Sequence, residues 1–391
     1  MSSRKLKICH VITRMIVGGA QENTLFTIVG HVKNGHEVTL LTGPSPGPEG
    51  ELLRNQDFPE FEIKEEPYLI RELNPLMDFK AYRSLTKFFR EREFDVVHTH
   101  SSKAGVIGRA AARKAGVPLI VHTVHGQAFH RYEKWWKNKI YIASERWAAK
   151  RCDKIYAVAQ AMIDQCVEAG VAPRSMYKVV YSGMDLAPFL NSTPDEELRK
   201  KLDIPADVPV IGTVARLFPL KGYEYFIPAA AEIAKKHPET RFLIVGNGIM
   251  KEQLETQIRE LKLEKNFVFA GLVPPAEIYR YCSIMDALVH LSLREGLPRA
   301  VVQGLASGKP AVGFPLDGTP EVIIDGQTGY LAETANIHSV AEAVLKLLDA
   351  PEKAVEMGAS GRKMVAEKFD WQRMADILEE EYYHGLNTKK Y

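Results

Sequence analysis

The sequence predicts an α/β protein built from two Rossmann-like, doubly wound parallel-sheet domains facing across a cleft. Three observations predict it. Short apolar runs with β-branched residues alternate with helical stretches along the whole chain. The alternation occurs twice, on either side of a charged, proline-containing segment at 188–209. The length of 391 residues suits two domains that each bury a core.

In the first half the strand candidates are KICHVIT, HEVTLLT, DVVHTH, PLIVHTV, KIYAV and YKVVY. Helical stretches at 20–34, 78–92, 103–115, 133–150 and 159–169 separate them. In the second half the strand candidates are PVIGTVA, RFLIVG, NFVFAG, DALVHLS and PAVGF. Its helices fall at 221–236, 249–262, 275–282, 298–307 and 336–348, with a last one at 370–386. The domains are therefore placed at 1–187 and 188–369, with 370–391 as a terminal helical segment.

Composition narrows the class. Hydrophobic residues at 46% and charged residues at 26% fit a globular protein, and no apolar run approaches the roughly 18 residues of a membrane span. The basic-then-apolar start, MSSRKLKICHVITRM, reads as a first strand, because its apolar stretch is short and has no small-residue cleavage site. Cys9, Cys152, Cys166 and Cys282 form no C-x-x-C pair and read as reduced, buried thiols of a cytoplasmic protein. Residues 1–185 carry 27 Lys+Arg against 20 Asp+Glu, a balance of +7, and the remainder carries −5 of the chain total of +2. A basic first half points to an anionic partner there. The excess is modest and no nucleic-acid module is visible, so nucleic acid is not expected.

Ligands of such sheets bind beyond the carboxyl ends of the strands, and every motif with chemical promise follows a strand. RMIVGGAQE (14–22) puts Gly18 and Gly19 at the start of a helix, where free amides favour phosphate. It is not G-x-G-x-x-G, which argues against a dinucleotide and a dehydrogenase. ARLFPLKG (215–222) sets Arg216 and Lys221 around a loop that ends in a helix start, two cations able to hold a pyrophosphate and stabilise it as it leaves. SLREGLPRAVVQG (292–304) places Glu295 ahead of a helix, with the amides of Gly296 and Leu297 beside it and Gln303 further along. PLDGTPEVIIDG (315–326) supplies another loop wall. For each motif taken singly, simple loop geometry or solvated charge remains an equally good account.

Five histidines, His98, His100, His122, His125 and His130, follow or lie in first-half strands. They invite a metal, but no H-E-x-x-H or carboxylate cluster accompanies them, so none is expected. His125, before Gly126 at a strand end, is the best sugar contact. In HRYEKWWKNKIYIASERWAAKRCDK (130–154), Trp136, Ile140, Ala143 and Trp147 recur at helical spacing, surrounded by Lys134, Lys137, Lys139, Arg146, Lys150 and Arg151. That stripe either packs into the domain core or rests on an anionic membrane surface.

Taken in order, these segments resemble the family-4 retaining glycosyltransferases, which have the GT-B fold. The resemblance spans nearly the whole chain. It rests on the Gly18-Gly19 loop, SGMDLAPF (182–189), ARLFPLKG, VGNG (245–248) and the E-G-L-P stretch 295–298. The segment 99–126 is similar to members that make capsule, exopolysaccharide or lipid-linked oligosaccharides. The resemblance implies a nucleotide-sugar donor, UDP-sugar favoured and GDP-sugar allowed, and a hydroxyl of a lipid-linked or polysaccharide acceptor. It implies Arg216 and Lys221 on the pyrophosphate, Glu295 with Gly296 and Leu297 on the donor sugar, and His125 beside the reacting sugar. Gly18 and Gly19 would approach the leaving phosphate; Gly19, His100 and Lys103 would meet the acceptor. Gly246 and Gly248 would let the nucleoside lie against backbone.

The terminal helix would return to the first domain, and the enzyme would work at the cytoplasmic side, at the inner face of the membrane. No cofactor or essential metal is expected, since the chain lacks D-x-D. One position departs from the family pattern: the ribose-contacting glutamate eight residues after Glu295 is Gln303, which removes on the order of 1 kcal/mol of charged hydrogen bonding. That leaves room for an inactive nucleotide-binding homologue; a sugar-nucleotide epimerase of similar double-Rossmann layout is the separate alternative.

Overall fold

Apolar β-branched runs become strands covered on both faces, and the amphipathic stretches between them become the covering helices. The structure, a computed structural model, describes residues 4–45, 52 and 58–388. The chain divides into two units, Met1–Met184 with Trp371–Tyr391, and Asp185–Asp370.

The first unit runs β1 (Lys7–Ile12), α1 (Gly19–Lys33), β2 (Glu37–Thr42), β3 (Glu62–Glu65), α2 (Pro75–Arg92), β4 (Val96–His100), α3 (Ser102–Ala115), β5 (Leu119–Val124), α4 (Trp135–Ala149), β6 (Lys154–Ala157), α5 (Gln160–Glu168) and β7 (Tyr177–Val179). Its parallel sheet has the order β3-β2-β1-β4-β5-β6-β7. The chain winds outward from β1 to β3, then crosses back to β4 on the other side of β1. The winding reverses between β1 and β4, the position where doubly wound sheets take their ligands.

The second unit runs α6 (Ala187–Leu190), α7 (Glu196–Lys201), β8 (Val210–Val214), α8 (Tyr223–Lys236), β9 (Arg241–Val245), α9 (Lys251–Glu260), β10 (Phe267–Gly271), α10 (Ile278–Ser283), β11 (Ala287–His290), α11 (Arg299–Ala306), β12 (Ala311–Gly313), β13 (Gly329–Leu331), α12 (Ile337–Leu348) and α13 (Pro351–Lys368). Its sheet, β10-β9-β8-β11-β12-β13, is parallel and reverses between β8 and β11. The core joins Ile211, Phe226, Phe242, Ile244, Val289 and Val344 across sheet and helices.

The last helix, α14 (Trp371–Thr388), belongs to the first unit. Met374, Leu378 and Tyr382 recur every four residues along one face and pack with Leu6, Ile8, Val96 and Val121. Residues 389–391 of the terminal segment lie outside the described residues.

β3, β13 and α13 are among the elements that escape the pattern reading. β3 is EIKE, an exposed, charged edge strand with no apolar run to announce it. β13 has only three residues. α13 buries Met357 and Val365 together with two glycines, Gly358 and Gly361. A Cβ on Gly358 would lie 1.9 Å from the Gly308 carbonyl oxygen, so helix and loop touch backbone to backbone. In an exposed helix, Gly→Ala stabilises by roughly 0.5–1 kcal/mol. Gly358→Ala should instead destabilise by about 1–3 kcal/mol, because the added methyl meets backbone. Equilibrium urea melts check this, and a gain in stability would contradict the packing.

The stripe on α4 faces outward. Trp136, Ile140 and Trp147 are 46%, 53% and 45% exposed, and Ala143 is exposed with them. Only Ala148 and Ala149 of this helix are buried. The core-packing alternative for the stripe is thereby set aside.

Candidate active site

In the second unit, the loops after β8 and β11 meet at the reversal point of the sheet. Lys221 Nζ lies 2.6 Å from Glu295 Oε1, and His290 Nε2 lies 3.4 Å from the same oxygen. Ser292 Oγ stands 3.5 Å from Lys221 Nζ. Burial alone would raise the Glu295 carboxyl, but the His290 ring and the Lys221 ammonium outweigh it and hold the pKa at about 2. Glu295 is thus a carboxylate at every physiological pH, poised to accept hydroxyl hydrogen bonds.

Backbone links fix the loops around this pair. Leu293 N donates to Leu220 O at 2.9 Å, Glu295 N donates to Asp317 Oδ2 at 2.8 Å, and Gly318 N donates to Gly296 O at 3.2 Å. Leu220 and Asp317 hold left-handed backbone (φ 69° and 50°), strain that such links sustain at functional loops. Gly222 starts α8 at φ 83°, and a Cβ there would lie 2.1 Å from Leu291 O, so only glycine brings the two loops this close.

Arg216 is exposed on the loop after β8, its guanidinium 5.3 Å from the Phe218 ring centroid. Gly296 is half-buried, Leu297 is buried, and Gln303 sits half-buried on α11. Gly246 and Gly248 pack against the chain's own backbone. Their Cβ atoms would lie 2.0 Å from Ala215 O and 2.4 Å from Leu217 O, and Leu217 N donates to Asn247 O at 3.0 Å. The two glycines seat one loop on the other.

In the first unit, Gly18 and Gly19 open α1 beyond β1. A Cβ on Gly18 would meet only the mobile end of Gln21, so that position is not sterically reserved for glycine. His125 follows β5 and lines a cavity of about 320 Å³ with Ser101, His122, Gly126, Gln127 and Phe129. His100 is fully buried, with Nε2 3.0 Å from His10 Nδ1 and Nδ1 3.0 Å from His125 Nε2. It cannot touch an acceptor, and its assignment there is corrected to a contact behind His125. Lys103 is likewise engaged: its ammonium pairs with Asp78 at 2.6 Å and donates to the Glu72 carbonyl.

His10, His98 and His100 offer ring nitrogens within 4.8 Å of one another, a spacing open to a metal ion. All six nitrogens already have partners, however. His98 is held by Tyr382 Oη at 2.5 Å and Thr123 Oγ1 at 2.7 Å, and His10 by His100 and His31. A metal would have to break these bonds. Burial lowers the His10 pKa to about 3 and those of His31, His98, His100 and His122 well below the usual value, so the cluster is neutral.

Motif reading missed His290, Ser292 and Asp317. The available signal was position: each ends a strand or lies in the loop beyond one, and His290 is an ionisable group inside an apolar run.

Comparison with known proteins follows this geometry. Residues 17–188 match the Glycosyltransferase Family 4 model, and residues 194–364 match Glycosyl transferases group 1. The chain is 28% identical over 390 residues, 98% of each protein, to the UDP-Gal:alpha-D-GlcNAc-diphosphoundecaprenol alpha-1,3-galactosyltransferase of Escherichia coli. It is 24% identical over 381 residues (92% of this chain, 94% of the other) to a GDP-mannose-dependent alpha-(1-6)-phosphatidylinositol monomannoside mannosyltransferase of Mycolicibacterium smegmatis. Among solved structures, the Anabaena HepE protein in complex with UDP superposes with a TM-score of 0.81 at 22% identity, covering 97% of this chain and all of that one. The fold is GT-B.

Proposed function

Because the chain belongs to the glycosyltransferases, its first half to family 4 and its second to group 1, we propose that it transfers a hexosyl or N-acetylhexosaminyl group, with retention, from a UDP-sugar to a hydroxyl of a lipid-linked or polysaccharide acceptor. Both relatives described above act on lipid acceptors by name, one from a UDP-sugar and one from GDP-mannose. UDP is favoured because the relative that matches 98% of both chains uses it.

The Lys221–Glu295 pair at the reversal point of the second sheet carries the reading. Lys221 and Arg216 hold the donor pyrophosphate and stabilise the charge that grows as it leaves. Glu295 and the amides of Gly296 and Leu297 hold the donor sugar. His125 contacts the reacting sugar, and a leaving-phosphate oxygen takes the acceptor proton, so no separate carboxylate base and no metal are needed. Turnover abolished by EDTA would contradict this metal-free scheme.

No helix among the described residues is long and apolar enough to cross a membrane. The exposed face of α4 instead supports peripheral contact with anionic lipid. Lys139 lies 4.9 Å from the Trp135 ring centroid, and the Arg151 guanidinium lies 3.6 Å from that of Trp147. Cations stacked on exposed tryptophans suit a headgroup layer.

Thermal shift with UDP, GDP and ADP tests the donor site. A nucleotide at about 100 times its dissociation constant stabilises by roughly 2.7 kcal/mol. UDP should give the largest shift, and Arg216→Ala should lose it. No shift with any nucleotide would defeat the reading.

A further inference from the structure

We infer that His125, His100, His10 and His31 form a relay of neutral imidazoles locked into one shared tautomer, with His100 the positioning residue that fixes the protonation pattern of His125. The functional part rests on the proposed place of His125 beside the reacting sugar; the relay itself does not.

The geometry is a head-to-tail chain. His125 Nε2 meets His100 Nδ1 at 3.0 Å, His100 Nε2 meets His10 Nδ1 at 3.0 Å, and His10 Nε2 meets His31 Nδ1 at 3.4 Å. Each link joins the Nε2 of one ring to the Nδ1 of the next. A neutral imidazole has one N–H and one lone pair, and each link needs one of each. If one ring carries its proton on Nε2, every ring must, and the same holds for Nδ1. The chain therefore has two states, with no mixture that keeps all three bonds.

Burial keeps it neutral. His10, His31 and His100 are 0% exposed, and a charged ring there would have neighbouring imidazoles but no carboxylate described beside it. Flanking contacts hold the rings in place. The His98 ring centroid lies 4.2 Å from that of His100, and His98 is itself pinned between Tyr382 and Thr123. His10 and His100 come from adjacent strands β1 and β4, and His31 from α1, so the rings are carried on rigid elements.

The Nε2–H form is the intrinsically preferred neutral imidazole, and it is the state assigned here. His125 then donates through Nε2 to His100 and keeps the lone pair on Nδ1, so toward a sugar hydroxyl it acts as a hydrogen-bond acceptor. A metal-free transferase that relies on positioning gains from a fixed tautomer, because a ring that exchanges its proton between nitrogens would part of the time offer a donor where an acceptor is needed.

The test uses the full chain labelled with 15N-histidine. Long-range proton–nitrogen spectra at neutral pH should show all four rings as Nε2–H, assigned through single substitutions. Mixed tautomers among them, or charged rings, would overturn the relay. His100→Phe keeps the ring shape and removes both nitrogens. It should let His125 sample both tautomers and lower kcat for UDP release from UDP-galactose or UDP-glucose about tenfold, with donor KM within twofold. His100→Gln, which restores a donor and an acceptor, should recover most of that loss and supplies the ring spectrum if His100→Phe does not fold. A kcat within twofold of wild type in His100→Phe would overturn the positioning role. Absence of UDP release by the wild-type protein would count against the proposed transferase site, while the ring spectra would still decide the relay.

Discussion

Lys221→Ala should lower kcat for sugar transfer by a factor of about 10²–10³, the loss typical of removing one preorganised group aimed at developing charge. The prediction is steep because Lys221 has two neighbours to satisfy. In the structure it neutralises Glu295 at 2.6 Å; with donor present it would also face the pyrophosphate. Removing it leaves a carboxylate, 18% exposed, with His290 as its remaining ionisable neighbour. Burial then dominates, and the Glu295 pKa should climb from about 2 toward or above the ordinary carboxylate range.

The same substitution has a pH signature in stability. A carboxyl whose folded pKa lies below its unfolded value stabilises the fold above the unfolded pKa, and that contribution fades as pH falls through the folded value. For Glu295 the window runs from about 4.5 down to about 2. Lys221→Ala should therefore destabilise the protein by on the order of 2 kcal/mol at neutral pH. Its deficit against wild type should shrink as pH drops through that window. Melting curves at several pH values measure it. A deficit that stays constant from pH 7 to pH 3 would remove the ion pair as its cause, and kcat within twofold of wild type would remove Lys221 from the site.

Much of this arrangement was legible in the sequence, for a physical reason. In doubly wound sheets the functional loops sit where strands end, so finding the strands also finds Arg216, Lys221, Glu295 and His125. What could not be read was which loops become neighbours. Lys221 and Glu295 are far apart in sequence and touch only because β8 and β11 pair side by side at the reversal point. His100 was placed at the acceptor by the resemblance, yet its side chain lies among His10, His98 and His125, behind the surface. Gly246 and Gly248 show a second limit of motif reading. Glycine permits close approach without saying to what, and here the partner is the chain's own backbone. α13 was missed because two of its four buried residues, Gly358 and Gly361, are glycines, which thin the apolar stripe left by Met357 and Val365.

The α4 surface yields the other large effect. Replacing Trp136 and Trp147 together with Ala should weaken binding to vesicles rich in anionic phospholipid by roughly 100-fold. The two rings are about half exposed, and even partial immersion of that area contributes on the order of 3 kcal/mol. Stability should fall as well, but modestly, because only about half of each side chain is covered by the fold. Charge supplies a second, separable part. Lys134, Lys139 and Lys150 are exposed on or beside the helix, and each cation near an anionic surface adds about 1 kcal/mol at low salt. Raising salt should therefore weaken the wild-type protein and the tryptophan variant alike, whereas uncharged phosphatidylcholine vesicles should bind both poorly. Equal co-sedimentation of wild type and double variant with anionic vesicles would show that this face does not meet the bilayer. If binding falls while UDP release from free donor is unchanged, α4 would serve delivery of a lipid-linked acceptor rather than the chemistry, which is the division of labour expected when donor groups and basic aromatic face lie on different units of the chain.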